Sequence, residues 1–573
     1  MSFQGLPVEI QCDIIQHLLI TVGPFKAVNV RLVNKLFDAA FLTALLTRQA
    51  IEFEDPALGN CLWRMLPYSL KARAMLTRAK RSGTSPAEEQ DKSLSFLVET
   101  IETLDGLMEM AESEQLQEQR KFALAEAAAY CYRGYYWFHH ISDTQYKLYN
   151  NSNTVVALRS QNTLCGAIVL GHLPLVQTLL RDRTDIDVNV ESACFGLPLH
   201  IAAAWGHIAI FQHILECGAD PSGLSHDAEE DPLRDHRQDI HNPIGSALRA
   251  AAGAGHGAIV QLLLSLPADC RIPVTSPEYC HALVAAAKGG YIGCIELLFR
   301  ATGRPLAELP RVHDKIYEMM LFAAARGGHI GVVSLLLDDP QMRPDVKAQE
   351  SVPWKHCELG GALHIAAARG DTALAKVLVE RYGADVDLES EDSSAKCPYH
   401  VAARAGHKET LEFLLTASGL EDAVPSAFKS AARGAQLGIL AWLVARYGRE
   451  IAAAEAYPDD PMFADNHDTV GQVALCYATA DPAPDVIVFL VREAGVPLNE
   501  GFASFEGILP VAFAKTESSR YIMDLLLRLG AEDVAVDEDE MEGNSRWDGF
   551  TKEQGALYTI RGVRVSERTW QWV

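Results

Sequence analysis

One pattern of apolar and polar positions recurs along most of the chain. Each copy has a cluster of alanines, two variable residues, Gly-His or a variant of it, and then Leu, Ile or Val at helical spacing. A nearly complete copy reads 198-PLHIAAAWGHIAIFQHILECGADP. The glycine of the Gly-His step recurs at residues 171, 206, 255, 290, 328, 370 and 406. The pattern predicts helix pairs in which glycine ends the first helix, because glycine adopts the left-handed C-cap conformation without a steric penalty.

The predicted helix pairs must stack, because no single copy could bury its own apolar faces. With its Pro-Leu-His start, paired alanines, Gly-His step and closing Gly-Ala-Asp, the pattern resembles the ankyrin repeat. The copies at 362–387 and 398–415 match it almost as well as the one at 198–220. The resemblance implies an all-α fold, an ankyrin-repeat solenoid of about ten helix-pair units over residues 161–532. The last units are degenerate because they lack Gly-His, and residues 221–245 form an insertion that we expect to loop out.

The first 45 residues follow a different pattern. Leu-Pro at the start, an Ile-rich helix and then 31-RLVNKLF resemble the F-box, a three-helix motif that docks on a small adaptor protein of a cullin–RING ubiquitin ligase. Carried over by position, the docking residues would be Leu6, Pro7, Ile10, Ile14, Leu18, Val33 and Phe37. Phe37 stands where the family usually has Trp, so that part of the anchor is smaller. The alternative is that residues 1–45 are helices that only cap the solenoid.

Two further segments flank the repeats. Residues 46–160 are expected to be a helical linker and cap, with helices at 94–112 and 118–138. The aromatic stretch 130-YCYRGYYWFHH-140 either fills the junction with the first repeat or lines a ligand pocket. Residues 533–573 hold an acidic linker and then alternating apolar residues that predict a short β-hairpin.

Composition narrows the range of functions. Hydrophobic residues make up 49% and charged residues 22%, as in ordinary folded proteins. The formal net charge is −25, which disfavours binding to nucleic acid or to an anionic membrane. None of the 12 cysteines forms a CxxC pair, and neither a signal peptide nor an apolar run long enough to span a membrane is found. We therefore expect an intracellular protein of the cytoplasm or the nucleus.

The sequence holds no recognisable catalytic motif. It has no HExxH helix, no phosphate-binding GxxxxGK[ST] loop and no GxSxG elbow. One position of the repeat is occupied by His200, His364 and His400, which the resemblance assigns to a structural hydrogen bond with the neighbouring loop. Acidic residues and His226, His236 and His241 share the insertion, which is more simply a charged loop than a metal site. We expect no catalytic residues, no metal and no cofactor.

The two variable residues before Gly-His are the candidate recognition residues. By resemblance they lie on the concave face that ankyrin proteins use to bind partners. The residues in question are Trp205, Lys288, Arg326, Arg369, Arg404 and Arg433. Cations also suit helix C-termini, where each contributes about 0.3–1 kcal/mol. The alternative interpretation is a basic track that attracts an acidic segment of a partner, with Trp205 as an aromatic anchor.

Together these features predict a protein–protein interaction scaffold and favour a substrate receptor of a cullin–RING ubiquitin ligase. Its N-terminal module would bind the adaptor and its repeats would bind an unknown client protein. Two alternatives stay open. The chain could be an ankyrin scaffold without a role in ubiquitin transfer, or an enzyme with a site in the solenoid groove or at the aromatic junction.

Overall fold

The computed structural model describes a subset of the chain. The described residues are 68–79, 92–108, 114–131, 152–192, 194–224, 245–302, 315–342, 344–347, 361–389, 397–456, 467–480, 483–502, 507–516, 520–533, 557–560 and 563–566. The predicted adaptor-binding residues, Leu6 to Phe37, lie outside them, as do the three histidines of the insertion and residues 132–140 of the aromatic stretch. The chain divides into two compact units, residues 1–343 and residues 344–572.

The described part of unit 1, residues 1–343, consists mainly of helices. Their bounds are α1 Tyr68–Ala79, α2 Lys92–Leu107, α3 Glu114–Cys131, α4 Ser152–Val169, α5 Leu173–Asp182, α6 Pro198–Trp205, α7 Ile208–Glu216, α8 Ala247–Ala254, α9 Gly257–Ser265, α10 Pro277–Gly289, α11 Ile292–Ala301, α12 Ile316–Gly327 and α13 Ile330–Asp338. From α4 onward they form successive pairs. The first helices α4, α6, α8, α10 and α12 pack side by side, and the second helices α5, α7, α9 and α11 form a parallel layer.

Unit 2, residues 344–572, repeats this arrangement. Its helices are α14 Ala362–Arg369, α15 Thr372–Lys376, α16 Pro398–Ala405, α17 Lys408–Ala417, α18 Ala423–Arg433, α19 Leu437–Tyr447, α20 Val470–Ala480, α21 Pro484–Arg492, α22 Pro510–Thr516 and α23 Arg520–Leu529. A π-helical turn, Val377–Arg381, continues α15, and a 3₁₀ turn, Arg449–Ala453, follows α19. The first helices α14, α16, α18, α20 and α22 pack side by side.

The core of both units lies between the two layers. Alanines of the first helices, such as Ala251, Ala287 and Ala324, have no exposed surface. Leucines and isoleucines of the second helices, such as Ile295 and Leu336, are equally buried. The small alanine side chain lets neighbouring helices approach closely, and the larger residues of the second helices fill the space that remains. We call the stacked first helices of a unit its first-helix layer.

Glycine ends the first helices as the sequence predicts. The residue after the helix is in the left-handed region at Gly206, Gly255, Gly290, Gly328, Gly370 and Gly406, with φ between 69° and 84°. At the end of α18 the same conformation falls on Ala435, with φ 52°. Ala435 is the one residue other than glycine with positive φ among the described residues. Its side chain therefore adds a steric cost that glycine avoids at the other helix ends.

Hydrogen bonds of asparagine side chains join the loops of successive repeats. Asn189 accepts from the backbone N–H of Asp220 at 2.8 Å and donates to the carbonyl of Gly218 at 3.0 Å. Asn499 makes the same two contacts with Glu532 and Gly530. Each loop is thus held to the Gly-Ala-Asp or Gly-Ala-Glu turn of the next repeat.

Helices α2 and α3 cover the exposed side of the first repeat helix, α4. A Cβ added at Gly166 of α4 would lie 2.7 Å from the Leu104 side chain, and Leu124 of α3 is also near. Arg159 of α4 forms an ion pair with Glu99 of α2 at 2.8 Å. The helix predicted at 94–112 ends earlier, at Leu107. Helix α3 begins earlier than predicted, with Glu114 in its first turn, where a carboxylate suits the positive end of the helix dipole.

Two short strands lie near the end of the chain, in the segment where alternating apolar residues predict a hairpin. They are β1 Leu557–Ile560 and β2 Val563–Ser566, paired antiparallel with Leu557 opposite Ser566. No helix among the described residues is long and apolar enough to cross a membrane.

Candidate protein-binding face

The candidate recognition residues occupy two different positions at the ends of the first helices. We number these positions backward from the residue in the left-handed conformation. Position −2 holds Lys288, Arg326, Arg404 and Arg433, and position −1 holds Trp205 and Arg369. The six residues are divided between the units, with Trp205, Lys288 and Arg326 in unit 1 and the others in unit 2.

The backbone at position −2 is fixed by the following repeat. His207 Nε2 donates to the carbonyl of Val169 at 3.3 Å, His256 Nε2 to that of Ala204 at 3.0 Å, and His407 Nε2 to that of Ala368 at 2.9 Å. In each case the acceptor is the residue at position −2 of the preceding first helix. The histidine of the Gly-His step therefore sets the spacing of adjacent helix ends, which is a structural role.

Position −1 faces the preceding helix closely. A Cβ added at Gly289 would lie 2.9 Å from the Gly253 carbonyl oxygen, and one added at Gly327 or Gly434 would overlap the carbonyl of Lys288 or Arg404. Four repeats have a cation at position −2, and three of them have glycine at position −1, where there is no room for a Cβ. Where position −1 carries Trp205 or Arg369 instead, position −2 is alanine. Each of these repeats therefore has one long side chain at the end of its first helix.

The six residues differ in exposure. Arg369 is exposed, and Trp205, Lys288, Arg326 and Arg433 are half-buried. Arg404 is only 7% exposed, so its guanidinium lies mainly among protein atoms. Arg404 therefore presents less of its side chain to a partner than the other five residues do, and its role in recognition stays a prediction.

Two of the cations have defined electrostatic surroundings. Burial lowers the pKa of Lys288 to about 8, and the positive charges of Arg326 and Arg249 act in the same direction. The Cζ atom of Arg433 lies 5.4 Å from the centre of the Tyr477 ring on the next first helix, a cation–π contact that orients the guanidinium. Neither Arg249 nor Tyr477 was predicted from the sequence. Arg249 occupies the position in its repeat that His200 occupies in the preceding repeat. This replacement of histidine by arginine can be read from the sequence.

Arg249 is part of a buried polar group. It is 4% exposed, and its Nη1 lies 3.9 Å from Glu278 Oε2. Ser246 donates through its hydroxyl to Glu278 Oε1 at 2.8 Å. A buried ion pair of this kind requires added hydrogen bonds to offset its desolvation, and Ser246 supplies one.

The first-helix layer is basic although the chain is strongly acidic. The described first helices are the even-numbered helices from α4 to α22. Their only acidic residues are Glu278 and Glu318. Glu278 is already paired with Arg249. The acidic residues that give the chain its net charge of −25 therefore lie on loops, on second helices and in other segments.

The repeated histidines behave as structural residues in different ways. His200 Nε2 donates to the carbonyl of Gly223 at 3.0 Å, the loop contact that the resemblance implies. His400 instead accepts from the backbone N–H of Cys397 at 2.9 Å through Nδ1. Within the described part of the chain, no group of three or more His, Cys, Asp or Glu side chains could hold a metal ion.

Comparison with known proteins identifies the repeats. A family model described as ankyrin repeats in three copies matches residues 321–425, and the model of a single ankyrin repeat matches residues 197–224. The predicted ankyrin repeats are therefore confirmed in both units. The array is a protein–protein interaction scaffold.

A solved ankyrin repeat domain is similar to part of this chain. The crystal structure of the human ASB11 ankyrin repeat domain is 22% identical, covers 45% of this chain and 98% of that chain, and has a TM-score of 0.31. No curated protein matches this chain.

Proposed function

We propose that this chain is a substrate receptor of a cullin–RING ubiquitin ligase. Residues 1–45 bind the adaptor protein through Leu6, Pro7, Ile10, Ile14, Leu18, Val33 and Phe37. The first-helix layers and the loop tips bind the client protein. The receptor performs no covalent chemistry itself but holds the client near the ligase, so that a bimolecular encounter becomes a tethered one.

The observation that carries this proposal is the cap on α4. A repeat array needs a polar cap at each end, and the main alternative assigns that role to residues 1–45. Helices α2 and α3 already cover α4 through Leu104, Leu124 and the Glu99–Arg159 ion pair. The apolar face of residues 6–37 is thus not required to cap the first repeat, which favours a docking role for it.

A pull-down with the purified adaptor protein tests the docking role. We expect the wild-type chain to retain the adaptor and the Leu6→Ala/Pro7→Ala double variant to lose it, because the variant removes apolar contacts at the start of the motif. The matched control is Leu116→Ala in α3, since Leu116 is also an exposed leucine, 52% accessible, but lies outside the motif. Adaptor binding that survives the double change, or no binding by the wild type, would favour the scaffold without a ubiquitin role.

A further inference from the structure

A small cavity lies between the loops of two successive repeats in unit 1. Its volume is about 100 Å³, and it is lined by the loop after α5, the start of α6 and the loop after α7. The lining includes Val188, Leu197, Leu199, His200, Asp220 and Leu224. Leu197, Leu199 and His200 are buried, whereas Asp220 is exposed. The cavity therefore has a buried, mainly apolar floor and an acidic group at its solvent-exposed rim.

Hydrogen bonds between the repeats fix the walls of the cavity. Asn189 accepts from the backbone N–H of Asp220 at 2.8 Å and donates to the carbonyl of Gly218 at 3.0 Å. From the other side, His200 Nε2 donates to the carbonyl of Gly223 at 3.0 Å. Because these bonds hold both loops in place, a ligand in the cavity has few further groups to order, which favours its binding.

The carboxylate of Asp220 has one oxygen available to a ligand. Its Oδ1 accepts from the backbone N–H of Ser222 at 2.8 Å and from the Ser222 hydroxyl at 2.7 Å. Among the described residues, no group donates to Oδ2 and no cation forms an ion pair with Asp220. A Cβ built at Gly223 would lie 3.7 Å from Oδ2, so the glycine leaves the space beside this oxygen free.

His200 contributes an acceptor and no opposing charge. Burial lowers its pKa to about 4, so its ring is neutral near pH 7. Its Nδ1 is buried and has no hydrogen-bond partner in the part of the chain that the structure describes. The described lining residues therefore include unsatisfied acceptors and no cation, which favours a ligand that donates hydrogen bonds.

Cations near the cavity contact other groups. Arg181 forms an ion pair with Asp182 at 2.8 Å, and Arg183 donates to the hydroxyl of Ser160 at 3.3 Å. Asp187, in the loop after α5, is exposed and forms no ion pair with any described residue. The surroundings of the cavity are therefore negative, which attracts a cationic ligand.

We propose that this cavity binds one lysine side chain of the partner protein, with the ammonium group at Asp220 Oδ2 and the methylene groups against the apolar walls. This inference rests on the proposed function, in which the loop tips bind the client. Pockets for small-molecule ligands are about 300–1,000 Å³, so a cavity of about 100 Å³ suits a single side chain instead. A lysine combines an apolar stem with a charged end, as the floor and the rim require.

The geometry of Asp220 favours lysine over arginine. A guanidinium binds a carboxylate best through two parallel hydrogen bonds, one to each oxygen. At Asp220 the Oδ1 atom already accepts two hydrogen bonds from Ser222, so Oδ2 alone remains. The compact ammonium group of lysine needs one such oxygen, and its flexible stem fits a narrow apolar space.

Binding of n-butylammonium, which reproduces the lysine side chain, tests the site in the full chain. Methyl NMR spectra of ¹³C-methyl-labelled protein follow the titration, and the signals of Val188, Leu199 and Leu224 are assigned by single substitutions. We expect these signals to shift saturably with a Kd of about 1–10 mM, in keeping with a ligand of so few atoms. Leu420, an exposed leucine of unit 2, should not shift. The lack of a saturable shift at the lining residues would overturn the proposal.

Two further ligands separate the charge from the apolar stem. 1-Butanol has the same alkyl chain without the charge and should bind at least about fivefold more weakly, because it makes no charged hydrogen bond with the carboxylate. Equal binding of 1-butanol and n-butylammonium would show a purely apolar cavity and overturn the proposal. Tighter binding of n-propylguanidinium, which reproduces the arginine side chain, would overturn the assignment to lysine.

Substitution of the carboxylate supplies the second measurement. Asp220→Asn retains the Oδ1 acceptor for Ser222 and should weaken n-butylammonium binding at least about fivefold. The matched control is Asp269→Asn, since Asp269 is an exposed aspartate in the loop after α9 and does not line the cavity. It removes the same charge and should change the affinity by less than about twofold. Equal weakening by the two variants would show a general charge effect and overturn the site.

The insertion supplies a competing occupant from within this chain, Arg234 or Arg237. A double variant, Arg234→Gln/Arg237→Gln, distinguishes it from a partner. We expect the wild type and the double variant to bind n-butylammonium with the same affinity, within about twofold. Binding by the double variant alone would show that the insertion fills the cavity and would overturn the assignment to a partner.

The lysine site and the receptor role fail separately. If the adaptor is retained in the pull-down but n-butylammonium does not shift the lining methyl signals, only the lysine site is wrong. If the methyl signals respond to n-butylammonium but the adaptor does not bind, only the ubiquitin-ligase role is wrong.

Discussion

At the scale of single residues, buried histidines show how the repeat uses polar side chains for structure. His200 is 3% exposed, and its Nε2–H must donate to the Gly223 carbonyl because a carbonyl can only accept. Its Nδ1 is buried without a hydrogen-bond partner among the described residues. Burial lowers the pKa of His200 to about 4, against the opposing effects of the Gly223 hydrogen bond and the Asp220 charge. His200 is therefore neutral in the folded protein near neutral pH.

This lowered pKa predicts a loss of stability in mild acid. Between pH 6.5 and pH 4 the unfolded chain binds a proton at His200 that the folded chain does not bind. The free energy of unfolding should therefore fall as pH falls through this range, by about 2 kcal/mol at pH 5 relative to pH 7. Urea unfolding of the wild type and of His200→Gln at both pH values measures the contribution as the difference between their losses.

The control for this prediction is Leu116→Ala in α3, since Leu116 is exposed and has no titratable group. This variant should lose as much stability in acid as the wild type does. An equal acid loss in wild type and His200→Gln would refute the role of His200.

At the scale of the helix, two successive residues at the end of each first helix matter: position −1 and the left-handed residue after it. Position −1 determines how closely neighbouring first helices approach. Glycine at position −1 lets Gly327 and Gly434 lie against the carbonyls of Lys288 and Arg404. The left-handed residue then reverses the chain into the second helix. At the end of α18 these two roles fall on Gly434 and Ala435, so the left-handed position lacks its usual glycine.

Reciprocal substitutions at the helix ends of unit 2 test the cost of this position. Ala435→Gly should raise the free energy of unfolding by up to about 1 kcal/mol, since it removes the Cβ from a left-handed residue. Gly406→Ala should lower it by about 1–2 kcal/mol, because Gly406 has φ 84°. Urea unfolding measures both.

Gly438→Ala serves as the control for these substitutions. Gly438 lies in the first turn of α19, has no positive φ, and a Cβ there would meet no atom within 4 Å. This variant should be neutral or stabilising by about 0.5–1 kcal/mol, as alanine favours helix over glycine. A stabilising Gly406→Ala would contradict the conformational argument.

At the scale of the whole molecule, acidic residues are distributed unequally between the first helices and the other segments. The chain carries 50 Lys and Arg against 75 Asp and Glu, yet the described first helices contain only two acidic residues, Glu278 and Glu318. Cations at the ends of first helices also suit the negative end of the helix dipole, so the basic layer has a structural benefit besides any role in binding. The excess of acids elsewhere leaves a net repulsion that the folded chain must tolerate.

This repulsion predicts a salt-dependent stability. Raising NaCl from 20 mM to 500 mM at pH 7.5 should raise the Tm by a few degrees, because salt screens the like charges. At pH 5.2, near the isoelectric point of the sequence, the same salt change should have little effect. Thermal unfolding followed by circular dichroism checks both conditions, and an equal salt response at the two pH values would contradict the explanation by net charge.

The sequence alone determined the repeats and their helix ends. Alanine clusters, glycine at fixed intervals and apolar helical spacing are local signals, and each acts through a conformational or packing preference that operates within one repeat. For that reason the left-handed glycines at 206, 255 and 290 and the loop contact of His200 agree with the prediction. The bounds of α2 and α3 were less accurate, since they depend on packing against α4.

Only the tertiary structure decided which candidate residues lie together. The sequence places the six residues one or two positions before the end of the first helix, but only the backbone shows that these two positions have different neighbours. The burial of Arg404, the contact of Arg433 with Tyr477 and the electrostatic coupling of Lys288 to Arg326 all depend on the adjacent helix. Spacing along the chain specifies the face on which a residue lies, whereas burial and charge coupling depend on atoms from other repeats.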